Sequence, residues 1–223
     1  MIENFGNFFP KNVTALMVND LNMKKKKENV IEEYYNILGF KKKLVHSRQI
    51  HSDIVKISSN YGFIGDCDGI ISNNKNHILA IQVADCLPIF IINLRENIIS
   101  LVHSGWRGSF KKILLKTVIS IEKKFNVKKK DFLFFFGPSI HQCCYEVGFD
   151  VSSKFQSKHS IKKNDNYMLN LLSVNIDQLL SININKNQIS FDKSCTMCSI
   201  KKFHSFRRDG EFSGRNICYL SIN

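Results

Sequence analysis

The sequence is sparing with residues that interrupt or cross-link a chain: 223 residues include three prolines, eleven glycines and one tryptophan. No proline- or serine-rich stretch, repeat or low-complexity tail breaks it, so a single domain over residues 1–223 is expected. No apolar run exceeds strand length, which excludes a bilayer-spanning helix. The opening "MIENFGNFFPKNVTALM" lacks the basic start, long apolar run and small-residue cleavage site of a secretory signal. A cytoplasmic location with no membrane partner is therefore expected. The seven cysteines are odd in number, and without a secretory signal they read as reduced thiols, not as a disulfide framework. Acidic residues are also scarce, 19 against 32 lysines and arginines, leaving a net charge of +13. Nucleic acid is still not the expected partner. The lysines fall in short runs (Lys24–Lys27, Lys41–Lys43, Lys128–Lys130), few arginines join them, and no basic motif is interleaved with aromatic residues.

What is present is an ordinary soluble composition, 43% apolar and 23% charged, with clear periodicities. "KLVHSRQIHSDIVKI" (43–57) alternates like a strand or hairpin edge. "HILAIQV" (77–83), "LPIFIIN" (87–93) and "NIISLVH" (97–103) are near-continuous apolar runs, the pattern of strands covered on both faces. The polar "LREN" between the last two suits a hairpin turn. From Phe110 to Phe125 apolar residues recur at three- and four-residue steps, predicting an amphipathic helix. "DFLFFFG" (131–137) returns to strand and ends at Pro138. Asp150 is the expected cap of a short helix through Lys158, "MLNLLSVNIDQLLSI" (168–182) carries a second helical stripe, and "NICYLSI" (216–222) reads as strand. The class is α/β or α+β with mixed sheets.

Several segments end strands on reactive side chains. "RQIHSD" offers Gln49, His51 and Asp53; "VADCLP" offers Asp85 and Cys86; "VHSGWRG" offers His103, Ser104, Trp106 and Arg107. His51, Cys86 and His103 are a thiol and two imidazoles, the donor set zinc prefers, and three protein ligands leave a fourth position open for chemistry. An equally sharp reading makes Cys86 a nucleophile with His103 as its base and Asp85 as orienter; a bland one makes them satisfied core residues. "GPSIHQCCYEVG" (137–148) is a turn-rich loop with His141, Cys143, Tyr145 and Glu146. "FHSFRRDGEFSGR" (203–215) sets Arg207, Arg208, Asp209 and Arg215 among glycines, either to hold phosphate or carboxylate or as a charged hairpin turning at Asp209-Gly210. Cys195-Thr196-Met197-Cys198 has ligand-like spacing, but no second CxxC exists to complete a structural zinc site, so it reads as core thiols.

Taken in order, "HSRQIHSD", "ADCLPIFI", "VHSGWRG", "GPSIHQCCYEVG" and "FHSFRRDGEFSGR" resemble the signature blocks of the YfiH, or laccase-domain, family, from about residue 46 to the C-terminus. The resemblance implies an α+β fold of two mixed β-sheets packed together and flanked by helices. It implies a mononuclear metal site, usually zinc, at the positions matching His51, Cys86 and His103; Asp85, next to Cys86, is a further candidate catalytic residue from its chemistry. It implies phosphorolysis of purine nucleosides (adenosine, inosine, guanosine and methylthioadenosine) with phosphate as co-substrate, and adenosine deaminase activity. Arg48, Trp106, Arg107, His141, Glu146, Arg207 and Arg208 are the expected substrate-binding residues, and a monomer or weak homo-oligomer is the expected state. Copper is a possible alternative metal, but a single thiolate site lacks the ligand count for multicopper chemistry. A cysteine-dependent hydrolase or amidase using Cys86 and His103, or a non-catalytic binding protein, are the competing functions. The chain departs from the family pattern in "VTALMVNDLNMKKKK", where a threonine-arginine and paired-glycine loop is usual, at Ser52, where glycine is usual, and at His204.

Overall fold

A computed structural model describes residues 1–19 and 30–223. Lys24–Lys27 and most of the divergent glycine-free stretch lie outside the described residues. Two mixed six-stranded sheets stack face to face. The first runs in the order Ile2–Asn4, Val13–Val18, Asn216–Ile222, His77–Val83, Lys43–Arg48, Gly62–Asp66. The second runs Ile189–Phe191, Phe132–Phe136, Leu87–Asn93, Ile98–Ser104, Gly69–Ser72, Val55–Ile57. A small sheet of Glu146–Val147, Asn166–Leu169 and Ser160–Lys163 lies to one side.

The continuous apolar runs have their cause in this layering. Along Leu87–Asn93, Phe90 and Ile92 enter the inter-sheet core with Leu79, Ile81 and Leu220. Ile89 and Ile91 face outward beneath Leu114, Val118 and Ile121 of the helix Ile113–Phe125. On the first sheet Ile78 and Ala80 face outward beneath Ile31 and Tyr34 of the helix Val30–Ile37. Both faces of each central strand are therefore dry, and each fully buried Ile, Leu or Phe contributes about 1.5–3 kcal/mol. No helix among the described residues is long and apolar enough to cross a membrane.

Five local expectations are corrected. Residues 43–57 are not one strand or hairpin: Lys43–Arg48 and Val55–Ile57 belong to different sheets, and the chain crosses between them at 49–54. The helix expected from Phe110 is broken, because Lys112 takes a left-handed φ of 61° between Trp106–Phe110 and Ile113–Phe125; Phe110 is exposed and meets the ring of Phe155 instead of the core. Asp150 is not a cap: Gly148 precedes a single helical turn, Phe149–Ser152. The 168–182 stripe begins later, at Leu171, where the Asn170 side chain accepts the Ser173 N–H; Met168 and Leu169 are strand residues. Asp209-Gly210 makes no hairpin, since Phe206–Asp209 is a helical turn capped by Ser205.

Candidate metal centre and active site

The site forms where the chain changes sheets. Residues 49–54 leave the first sheet for the second and carry His51; residues 84–86 make the same passage and carry Cys86; residues 67–68 make it a third time and carry Asp68. The strand Ile98–Ser104 delivers His103 to the same end. One ligand atom from each of His51, Cys86 and His103 lies within 4.8 Å of the others, and the two rings meet edge to face at 4.9 Å between centroids.

Asp68, fully buried, organises this convergence. Its carboxylate accepts the backbone N–H groups of Ile50, His51 and Ser52 (3.3, 3.1 and 2.7 Å) and the Ser52 hydroxyl at 2.6 Å. The same group is 2.7 Å from His103 Nδ1. Thus one carboxylate sets the loop that bears His51 and leaves Nε2 as the free nitrogen of His103, the arrangement by which acids orient ligating histidines. Burial pushes the Asp68 carboxyl up, but the His103 and Ser52 contacts prevail and hold it below its usual range. His51 and Asp85 both occupy left-handed backbone (φ 57° and 81°), strain that the surrounding contacts hold in place.

Charge at the centre is coupled. Burial opposes both charged forms, yet His103 and His51 together bring the Cys86 thiol down to about 6. In turn Cys86 and Asp68 overcome burial and raise His103 to about 9. The donor set fits a borderline-soft divalent ion: a stabilised thiolate, two imidazoles with one oriented by a carboxylate, and a glycine whose missing side chain leaves room. A Cβ on Gly105 would stand 2.9 Å from Cys86 Sγ.

Beside the centre opens a cavity of about 530 Å³, in the range of small-molecule sites. His51, Asp85, Cys86, His103, Trp106, Arg107 and Arg207 line it. Arg107 lies over the Trp106 ring (4.4 Å) and Arg207 over the Tyr145 ring (5.4 Å). Asp85 lines the cavity with its carboxylate engaged, accepting the Thr196 hydroxyl at 2.6 Å and the Arg207 N–H at 2.7 Å.

Four expected substrate-binding residues do not line the cavity. Arg48 reaches outward to a bidentate pair with Asp66, because its strand points it to solvent. Arg208 is spent on the carbonyls of Thr196, Met197 and Phe203 and on Asp209. Glu146 accepts from Asn166, and the His141 backbone N–H donates to Cys195 Sγ. Asp53 pairs with Lys111 and Lys116, and Ser104 joins a buried network with Ser109 and Asn175. Tyr145 and Arg215, named in the sequence for their loops, line the cavity, as do Gln82 and Glu211, for which the sequence offered no signal. For Asp68 the available signal was an acid directly heading the apolar "GII"; for Arg215, its place in the arginine-glycine block.

Fold and site together define a two-sheet sandwich with a thiol–bis-imidazole centre at the edge of an arginine-bearing cavity. The family model described as multi-copper polyphenol oxidoreductase laccase matches residues 13–223, and the chain belongs to this family. It is 28% identical to a purine nucleoside phosphorylase of Clostridium acetobutylicum over 98% of this chain and 92% of that one. It is 33% identical to one from Borreliella burgdorferi over 82% of each. The YlmD structure from Geobacillus stearothermophilus shares the fold, with a TM-score of 0.86 at 22% identity, covering 95% of this chain and 92% of that one.

Proposed function

We propose that the protein is a purine nucleoside phosphorylase acting on adenosine, inosine, guanosine and methylthioadenosine, that it also deaminates adenosine, and that its resident metal is zinc. The observation that carries this is the meeting of the His51–Cys86–His103 centre with a cavity holding Arg107, Arg207 and Arg215. Phosphorolysis needs an anion site beside a nucleoside site, and guanidinium forks are the natural holders of phosphate. The names of the relatives point to the same reaction.

In the proposed reaction a phosphate oxygen bonds to the anomeric carbon while the bond to purine N9 breaks and its electron pair leaves with the base. Arg107, Arg207 and Arg215 hold and orient the phosphate. Trp106 and Tyr145 flank the purine, and the Tyr145 hydroxyl, kept protonated because burial raises its pKa, donates a hydrogen bond to the departing base. Asp85 is a positioning residue: its hold on the Arg207 N–H fixes the start of the helical turn that bears the phosphate-binding guanidinium. His51, Cys86 and His103 would hold the zinc, which supplies Lewis acidity beside the cavity. Location in the cytoplasm and a monomeric or weakly associated state complete the reading.

The test is incubation with inosine and phosphate, following hypoxanthine with and without chelator. Phosphate-dependent hypoxanthine that falls at least 100-fold in Cys86→Ala supports the assignment; undiminished activity in that variant refutes a central role for the centre. One observation favours a second reading: a thiol near pKa 6 beside a His–Asp pair is also the make-up of a cysteine hydrolase. Such an enzyme would work metal-free and lose its activity to iodoacetamide.

A further inference from the structure

Four of the remaining cysteines meet at a second place, away from the cavity. The Sγ atoms of Cys143, Cys144, Cys195 and Cys198 all lie within 4.8 Å of one another. Two of the sulfur pairs stand 3.8 Å (Cys143–Cys198) and 3.2 Å (Cys144–Cys198) apart. A tetrahedral zinc with bonds of about 2.3 Å sets its sulfurs about 3.8 Å apart, so the cluster needs only small adjustments to close on an ion. Reading Cys195-x-x-Cys198 as core thiols fails on exposure, since Cys143 and Cys198 are exposed and only Cys195 is buried. The second pair that a structural zinc site requires is not another CxxC but the adjacent Cys143-Cys144. A turn closed by the Cys144 and Tyr145 N–H groups on the His141 carbonyl presents both thiols to the same point.

The backbone around Cys195 matches a thiolate ligand. Its sulfur accepts the N–H of His141 at 3.4 Å, from the opposite loop. A backbone donor on the first sulfur of a CxxC turn stabilises negative charge there.

We propose that Cys143, Cys144, Cys195 and Cys198 form a second, structural metal centre taking one soft divalent cation, zinc, through four thiolates. Four sulfur ligands close the coordination sphere, so this centre has no vacancy for catalysis and acts by tying segments together. The segments it ties are consequential. Residues 137–148 bring Ile140 and Tyr145 to the cavity, and residues 195–208 bring Thr196 to Asp85 and Arg207 to the cavity. Besides the ion, they are joined by the Thr196 N–H on the Ser139 carbonyl (2.9 Å), by the His141 contact on Cys195, and by Arg207, which donates to the Glu146 carbonyl (2.7 Å) and lies over the Tyr145 ring. The centre thus braces one cavity wall, independently of which reaction the cavity performs.

The test is metal stoichiometry of the whole protein purified under reductant. Wild type is expected to hold two zinc equivalents per chain, and Cys86→Ala and Cys198→Ser one each. Cobalt loaded into Cys86→Ala is expected to show strong sulfur-to-cobalt charge transfer that is lost on adding Cys198→Ser. A folded Cys86→Ala protein without bound metal overturns the proposal, as does a Cys144–Cys198 disulfide found in the reduced preparation by peptide mapping. Should Cys198→Ser not fold, wild-type stoichiometry still decides: two equivalents support the second centre, and one equivalent that disappears in Cys86→Ala overturns it.

Discussion

Replacing Gly105 by alanine probes the His51–Cys86–His103 centre with a single methyl group. The backbone at Gly105 (φ −76°, ψ −179°) suits any residue, so alanine brings no conformational strain. Its Cβ, however, would stand 2.9 Å from Cys86 Sγ and 3.4 Å from His51 Cδ2. Comfortable carbon contacts begin at about 3.5 Å, so the sulfur must retreat by roughly 0.6 Å. Metal–ligand bonds tolerate only about 0.2 Å. Zinc affinity is expected to fall on the order of 10–100-fold, the scale of disturbed ligand support, which corresponds to about 1.4–2.7 kcal/mol. Competition against a chromophoric chelator measures it, while unfolding of the metal-free protein should change by no more than ~1 kcal/mol. A folded Gly105→Ala protein with wild-type zinc affinity would show that the Cys86 sulfur does not lie on the ion.

Asp68→Asn keeps the shape but sets an amide N–H against donors that need an acceptor. Stability of the metal-free protein is expected to drop by about 3 kcal/mol in denaturant unfolding, with metal affinity falling alongside. In the metal-free protein, alkylation of Cys86 should rise with pH through a midpoint near 6, well below the ~8.5 of an ordinary thiol. Below that midpoint the thiol is protonated and slow. His103→Ala removes the leading charge partner, leaves burial to dominate and moves the midpoint upward, so an unmoved midpoint would refute the coupling. His103, raised to about 9, carries its charge through neutral pH. Its contribution to metal-free stability is therefore full below about 6.5 and disappears as pH rises through 9. Arg207→Ala and Arg215→Met should each raise the KM for phosphate at least tenfold while changing the KM for inosine little; the reverse pattern would remove them from the phosphate site. Thr196→Val leaves Asp85 short of one donor and should cost about 1–3 kcal/mol, visible as a lower melting temperature.

Much of the frame was legible locally. The apolar runs at 77–83, 87–93 and 97–103 announced strands dry on both faces, and the helical stripe after Ile113 announced the layer that covers them. Boundaries failed where a single backbone choice overrode periodicity, as at Lys112, or where a short strand borrowed a helical pattern, as at Met168. In the site, the three soft donors could be named from their chemistry, because few combinations of thiol and imidazole at strand ends are plausible ligands. Arg48 and Arg208 could not be told from Arg107 and Arg207, since charge is visible in a sequence and direction is not. Arg48 meets Asp66, 18 residues on, and Arg208 meets the Thr196 carbonyl, 12 residues back, and only the folded chain makes those contacts.

By itself the sequence determined which residues must be dry, which local periods they follow and which donor types exist to bind a metal. All of these depend on side-chain chemistry and near neighbours. Tertiary structure alone decided that three passages between the sheets end at one place, that Asp68 on one of them holds both the 50–52 backbone of another and the His103 ring, and that Cys143-Cys144 meets Cys195 and Cys198. Such meetings depend on which sheet each strand joins, and sheet membership is settled by burial across the whole molecule, not by any segment's own pattern.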